Sequence, residues 1–71
     1  MKLSTFKMEL AMADKCMTIN DIAEAAGMKR QVITAIINGR RNPKPATIGI
    51  IARGLGVRVT DIIKKEDDIN E

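Results

Sequence analysis

The chain has 71 residues, a net charge of +3, one cysteine and no histidine, which fits one small domain. A lone cysteine cannot form an internal disulfide, and a zinc site of the usual Cys/His kind is excluded. No apolar run could span a bilayer, and charges within the first apolar stretch argue against a signal peptide. We therefore expect a cytoplasmic protein that has no metal, cofactor or membrane partner.

Charge is distributed unevenly along the chain. Residues 25–60 contain seven basic residues and no acidic one, whereas the segments on both sides are net acidic. A basic segment of this kind favours a polyanion such as nucleic acid as the partner. The alternative is a basic face that only contacts solvent.

Apolar periodicity, glycines and prolines predict an all-α fold of five short helices. The helices span about 4–15, 19–26, 30–38, 46–54 and 60–65 in a single domain at 1–66, and residues 67–71 form a frayed acidic tail. Helix ends that need positive φ are predicted at Gly27, Gly39 and Gly56. Thr18 and Thr60 stand at N-cap positions, with Thr5 as a further candidate.

The first helix has two apolar faces. One side carries Leu3, Phe6, Leu10, Ala13 and Met17, and nearly the opposite side carries Met1, Met8 and Met12. One side must face the core. The other covers the terminal helix, meets a second subunit or stays exposed.

The apolar pattern of the fourth helix predicts most of the remaining core. Ile48, Ile51, Ala52 and Leu55 recur at helical spacing, and Val59, Ile62 and Ile63 of the last helix close the core. Gly49 and Gly54 weaken this helix by about 1 kcal/mol each relative to alanine. That cost indicates close backbone packing, unless it is merely a tolerated weakness.

A spacing pattern begins at Ile19. Alanine occupies the fifth position, where two helices that cross steeply come closest, and glycine occupies the ninth, where the chain turns sharply. Apolar residues fall at the other positions of the pattern, where side chains are buried between the two helices. The full set is Ile22, Ala23, Ala26, Gly27, Met28, Ile33 and Ile36.

This pattern resembles the Cro/repressor-type (XRE) helix-turn-helix family, with the motif at residues 19–38. The run Asn38–Pro43 looks like the family's loop after the recognition helix, and the run from Thr47 to Val57 looks like its fourth helix. The resemblance covers about residues 6–64 and implies a five-helix, lambda-repressor-like DNA-binding domain.

The third helix divides into two faces. Val32, Ile33 and Ile36 face inward with Ile37 beside them, whereas the outward face has no acid. Arginine can bond guanine and glutamine can bond adenine in a bidentate way, and small methyl groups suit thymine. Because relatives read bases with the first turns of this helix, the resemblance implies base contacts by Arg30, Gln31, Thr34 and Ala35. The alternative is an ordinary solvated helix face.

Other residues are expected to contact the DNA backbone without reading sequence. Lys29 lies at the N-terminus of the third helix, where its amide and side chain can meet phosphate. The full expected set is Thr18, Asn20, Lys29, Asn38, Arg40, Arg41, Asn42 and Lys44. With about four to six phosphate contacts, log K should fall with log salt at a slope of roughly −4 to −5.

Four positions depart from the family pattern. Ile19 replaces a glutamine that clamps a phosphate in relatives, so Thr18 and Asn20 are the substitutes. Met12 and Ile37 replace a charged pair, which indicates a hydrophobic contact instead of an ion pair. Lys29 replaces the usual serine or threonine N-cap, which weakens this helix start by about 1 kcal/mol.

The leading hypothesis is a sequence-specific transcriptional regulator, a repressor of prokaryotic, phage or mobile-element origin, acting as a homodimer on double-stranded DNA. Relatives imply that Arg58 and Val59 form the dimer contact, assisted by Ile50. The rival hypothesis is a protein-interaction module, such as an antitoxin or anti-repressor, which the second apolar face and the five methionines favour. No enzyme or small-molecule ligand is expected, because no nucleophile–base pair, metal cluster or phosphate-binding loop is present.

Overall fold

The computed structural model describes residues 1–64. Its α-helices are α1 (Thr5–Lys15), α2 (Ile19–Ala26), α3 (Arg30–Ile37) and α4 (Pro45–Leu55), followed by a 3₁₀ turn at Val59–Asp61. All four α-helices agree with their predicted bounds to within one residue. The predicted acidic tail at 67–71 lies outside the described residues.

The predicted fifth helix at 60–65 is wrong over the residues that the structure describes. Only a 3₁₀ turn forms, with Arg58 rather than Thr60 at its N-cap. After the turn the chain pairs with the N-terminal segment: the amide of Ser4 donates to the carbonyl of Ile62 at 2.8 Å, and the amide of Lys64 donates to the carbonyl of Lys2 at 2.8 Å. These bonds pair residues 62–64 with residues 2–4, so the helix does not continue.

The core lies where the helices converge. The predicted residues of α4 are all buried, as is Ile62, and Val59 and Ile63 pack against them. From α2 and α3, Ile22, Ile33 and Ile36 complete the centre. Met12 and Ile37, which replace the family's charged pair, are both half-buried against this core. Their burial fits the apolar contact expected from the sequence.

The two apolar faces of α1 have different environments. Ser4 is the N-cap, and its Oγ accepts from the amide of Lys7. The buried face carries Met8 and Ala11, whereas Phe6 is 69% and Leu10 51% exposed. Thus nothing within residues 1–64 covers the Phe6 side, and cover by a terminal helix, one of the three alternatives, does not form there.

The prediction of two apolar faces on α1 is wrong for the first residue assigned to each face. The helical period puts Leu3 on the exposed face, yet Leu3 precedes the helix, forms an isolated antiparallel bridge with Ile63 and is buried. The same period puts Met1 on the buried face, yet Met1 is 69% exposed. Both errors arise because the chain is extended, not helical, before Thr5.

Close packing of α4 against α2 explains one of its two glycines. A Cβ on Gly54 would lie 3.4 Å from the Cβ of Ala25, whereas a Cβ on Gly49 would meet nothing within 4 Å. The close-packing interpretation is therefore confirmed for Gly54 and wrong for Gly49. None of the described helices has the length and apolarity needed to cross a membrane.

Candidate nucleic-acid interface

The turn between α2 and α3 sets the direction of the candidate recognition helix. Gly27 ends α2 in the left-handed region, at φ 66°, and its amide donates to the carbonyls of Ala23 and Glu24. Met28 then donates to the carbonyl of Ala23 at 2.9 Å. Ala23 is only 6% exposed, as expected for the point where α2 and α3 approach each other. The role predicted for the ninth motif position is confirmed, and the burial of Ala23 fits the role predicted for the fifth.

Helix α3 begins at Lys29 without a side-chain cap. Lys29 is the N-cap residue, and its side chain makes no capping hydrogen bond. Its carbonyl accepts from the amides of Val32 and Ile33 at 3.0 and 3.3 Å. The amides of Arg30 and Gln31 precede those of Val32 and Ile33 in the chain and lie at the positive end of the helix dipole. Such a helix start suits an anion.

The exposed side of α3 forms an open concavity of about 330 Å³. All four predicted base-contact residues line it, together with Asn38 and Arg40. The Oγ1 of Thr34 donates to the carbonyl of Arg30 at 3.0 Å. Thr34 can therefore offer a ligand its methyl group or an acceptor lone pair, but not its hydroxyl proton.

The loop after α3 folds back onto the end of that helix. The amides of Arg40 and Arg41 both donate to the carbonyl of Ala35, at 2.9 and 3.2 Å. Gly39 makes this reversal possible because its φ of 76° would strain the backbone of a residue with a side chain. The loop therefore holds its two arginines at a defined position beside α3.

A second concavity of about 300 Å³ lies between α3 and the start of α4. Its basic and polar rim includes Arg41, Asn42 and Lys44, above an apolar floor that includes Val32 and Ile36. Lys44 is the N-cap of α4 and makes no side-chain capping bond. The residues after α3 that are predicted to contact the DNA backbone thus form two groups. Asn38 and Arg40 lie beside the base-contact residues, and Arg41, Asn42 and Lys44 line the second concavity.

The start of α2 confirms Thr18 as an N-cap. Thr18 and Asp21 form a capping box: the amide of Thr18 donates to Oδ2 of Asp21 at 2.9 Å, and the amide of Asp21 donates to Oγ1 of Thr18 at 3.2 Å. Ile19 packs against the core, and Asn20 is exposed. Neither Thr18 nor Asn20 lines the two concavities described above.

Asp21 is the interface-side residue that sequence reasoning missed. The Thr18 amide, and then the Thr18 side chain, lower the pKa of its carboxyl below the ordinary 3.8. A carboxylate therefore stands at the start of α2, beside Thr18 and Asn20, whose phosphate contacts remain a prediction. The signal that could have found it is the Thr-x-x-Asp spacing, which is close to a capping-box signature.

The three expected dimer residues lie on α4 and the 3₁₀ turn. Ile50 is 48% exposed. Arg58 is exposed at the N-cap of the turn, and Val59 is half-buried against the core. Their spatial arrangement in a dimer stays a prediction.

Comparison with known proteins places this geometry in a family. A helix-turn-helix family model matches residues 13–62. The chain is 38% identical over 52 residues to an uncharacterised HTH-type transcriptional regulator of Methanocaldococcus jannaschii, covering 73% of this chain and 79% of that protein.

The crystal structure of a hypothetical transcription factor, NHTF, from Neisseria shares the fold. Its TM-score is 0.80 at 21% identity, over 93% of this chain and 76% of that one. The region matched by the family model contains the capped turn, the α3 concavity and the loop that follows it. The chain belongs to the Cro/repressor-type (XRE) helix-turn-helix family.

Proposed function

We propose that the protein is a sequence-specific, double-stranded-DNA-binding transcriptional regulator that inserts α3 into the major groove. The observation that carries this proposal is the α3 concavity, which gathers arginine, glutamine, threonine and alanine on one exposed helix face. The segment that contains it has no acidic residue from 25 to 60. An acid-free, polar helix face that begins with an uncapped N-terminus suits a groove lined by phosphate and base edges.

Arg30 and Gln31 carry most of the proposed base recognition. Arginine bonds O6 and N7 of guanine, and glutamine bonds N6 and N7 of adenine, each in a bidentate way. Thr34 and Ala35 supply methyl contacts to thymine, because the Thr34 hydroxyl proton is already used within the helix. Four side chains read few base pairs, so high specificity needs two copies on a two-fold site.

The remaining basic residues anchor the module to phosphates. Lys29 binds at the start of α3, and Arg41, Asn42 and Lys44 bind from the second concavity. Asn38 and Arg40 act from the rim of the first. Thr18 and Asn20 contribute less at the start of α2, because the capping box already engages Thr18 and places the charge of Asp21 beside it.

Repression by occupancy of an operator is the proposed mode of action. A homodimer on DNA would use Arg58, Val59 and Ile50, and the protein would act in the cytoplasm, in a prokaryote, a phage or a mobile element. The exposed α1 face supports a second candidate, a protein-interaction module such as an antitoxin or anti-repressor on the same fold.

The test begins with selection of bound sequences from a random DNA pool. The double variant Arg30→Ala/Gln31→Ala should lose about 1–3 kcal/mol of discrimination per lost base contact. Lys44→Ala should weaken binding to all sequences alike and reduce the salt slope by about one. Arg53→Ala, which removes an exposed charge of the same segment outside both concavities, is the matched control.

Unchanged DNA binding by the double variant would contradict major-groove reading by α3 and favour the protein-interaction candidate. An equal loss with Arg53→Ala would mean that the effect is one of net charge and not of base contacts. A two-fold symmetric selected consensus supports a dimer on DNA, and a short asymmetric one contradicts it.

A further inference from the structure

The α3 concavity has a small floor, formed by Thr34 and Ala35. Both residues are half-buried, whereas the other residues that line the concavity are exposed and form a polar rim: Arg30, Gln31, Asn38 and Arg40. The floor consists of two of the smallest side chains on the helix, and each carries a methyl group. A base edge that enters the concavity therefore meets methyl groups at its centre and polar groups at its border.

The hydroxyl group of Thr34 is held by a bond within the helix. Its Oγ1 donates to the carbonyl of Arg30 at 3.0 Å. A hydroxyl group has one donor and two acceptor lone pairs, so the part that remains for a ligand is an acceptor alone. The same bond fixes χ1 and with it the position of the γ-methyl group. The floor thus combines a methyl surface with a hydrogen-bond acceptor and has no side-chain donor.

Thymine and 5-methylcytosine both carry a methyl group at C5 in the major groove, but the group beside it differs. Thymine has the O4 acceptor there, whereas cytosine has the N4 donor. The acceptor on Thr34 can accept from N4 and can form no hydrogen bond with O4. The floor therefore matches 5-methylcytosine in both features and thymine in one.

The rim favours the same base pair. Two of its four side chains are arginines, Arg30 and Arg40, and arginine bonds O6 and N7 of guanine. A floor that suits a methylated pyrimidine and a rim that suits guanine agree on one pair, 5-methylcytosine with guanine. The segment from 25 to 60 has no acidic residue, so no carboxylate of this segment competes with Thr34 for the N4 donor.

We infer that the Thr34–Ala35 floor recognises the 5-methyl group of a pyrimidine, and that methylation of a cytosine at C5 strengthens binding to an operator that places this base on the floor. The inference rests on the proposed function, since it needs α3 in the major groove. It deepens that function by naming a covalent DNA modification that regulates it. One buried methyl group raises affinity about fourfold.

Two parallel selections from random DNA test the inference, one with ordinary cytosine and one in which every cytosine is 5-methylcytosine. The methylated pool should show a stronger preference for a C·G pair at one position of the site. Synthetic duplexes then isolate the methyl group at that position. There 5-methylcytosine should bind about fourfold tighter than cytosine, and thymine about fourfold tighter than uracil. Each comparison keeps the base pair and changes one methyl group.

Two substitutions of Thr34 separate its methyl group from its acceptor. Thr34→Ser removes the γ-methyl group and keeps the hydroxyl, so both methyl effects should shrink. Thr34→Val keeps a methyl group and removes the oxygen, so affinity for the 5-methylcytosine duplex should fall about two- to tenfold. Affinity for the thymine duplex should change less. Thr47→Val, at a half-buried threonine of the second concavity, is the matched control and should leave both methyl effects unchanged.

Equal affinity for methylated and unmethylated duplexes at every cytosine of the selected sites overturns the inference, as does a methyl effect that Thr34→Ser leaves intact. An equal loss by Thr34→Val on the thymine duplex overturns the match of its acceptor to N4. A chain that selects no DNA at all contradicts the proposed function and this inference with it. A chain that binds one operator equally well with and without its methyl groups contradicts this inference alone.

Discussion

Thr18 and Asp21 cap each other at the start of α2 through two hydrogen bonds, of 2.9 and 3.2 Å. The box satisfies two backbone donors that a helix start otherwise leaves open. It also places a carboxylate at the positive end of the helix dipole, which stabilises the folded chain. The same carboxylate is unfavourable for a phosphate in this place. The protein thus combines a firm start of α2 with a poor phosphate site there.

The pKa of Asp21 makes stability depend on pH. The Thr18 amide and hydroxyl lower this pKa in the folded protein below the ordinary 3.8. The contribution is therefore complete above pH 3.8 and is lost as the pH falls through the lower folded pKa. Urea unfolding from neutral to strongly acidic pH should show a steeper acid loss for the wild type than for Asp21→Asn. Parallel pH profiles for the two proteins would contradict this prediction.

Removal of the charge at Asp21 should also strengthen DNA binding. Asp21→Asn keeps an acceptor for the Thr18 amide but removes a carboxylate from the proposed phosphate-facing end of α2. We expect tighter binding at low salt and a smaller gain at high salt, because added ions screen the repulsion. Binding titrations at several salt concentrations measure this. Glu24→Gln, which removes an exposed charge later on the same helix, is the control and should have less effect.

Local patterns predict the motif well and the chain ends poorly. Residues 19–38 follow a strong apolar period, and Gly27 occupies a helix end with positive φ, where the backbone freedom of glycine is needed. Val59, Ile62 and Ile63 fit a helical period equally well, but pairing with residues 2–4 is a long-range interaction that no local pattern contains. Leu3 fits a helical face for the same reason, although the chain there is extended.

The candidate site likewise has features that local sequence patterns predict and features that they do not. Base-contact residues all lie on one helix, so the period of α3 is enough to group them. The loop after α3 divides between the two concavities, with Arg40 at the first and Arg41 at the second, although the amides of both bond to the carbonyl of Ala35. The helical period does not predict this division. The role of Asp21 depends on its hydrogen bond to the Thr18 amide, which the family pattern at Ile19 does not indicate.

Cys16 ends α1 in the left-handed region, at φ 54°, without the usual glycine. This conformation costs a non-glycine residue roughly 1–2 kcal/mol. Cys16→Gly should therefore raise the free energy of unfolding, by up to about 1 kcal/mol after the extra entropy of unfolded glycine is subtracted. Urea unfolding measures the change.

The matched control is Cys16→Ala, which keeps the strained backbone and should gain nothing. Gly27→Ala should give the opposite result, a loss of about 1 kcal/mol or more. A Cβ there meets nothing within 4 Å, so the loss would come from the backbone alone. Equal stability of the Cys16→Gly and Cys16→Ala proteins would show that φ at this position carries no strain.

Gly49 and Gly54 of α4 should respond differently to substitution. Gly49→Ala should stabilise the protein by about 0.5–1 kcal/mol, because it gains helix propensity in open space. Gly54→Ala gains the same propensity but brings a Cβ to 3.4 Å from Ala25, so its net effect should be smaller. Gly54→Leu should destabilise by about 1–3 kcal/mol through overpacking. Thermal unfolding compares the three, and a Gly54→Leu protein as stable as the wild type would contradict the close approach of α4 to α2.

The uncapped start of α3 predicts opposite effects on stability and DNA binding. Lys29→Ser supplies a side-chain acceptor for the first helical amides and should stabilise the DNA-free protein by about 1 kcal/mol. It removes one proposed phosphate contact, so DNA affinity should fall and the salt slope should decrease by about one. Lys29→Ala separates the two effects: it should lose the same affinity without the gain in stability. A Lys29→Ser protein that binds DNA as tightly as the wild type would instead show that this residue is merely a poor cap, and that phosphate contacts at α3 depend on its backbone amides alone.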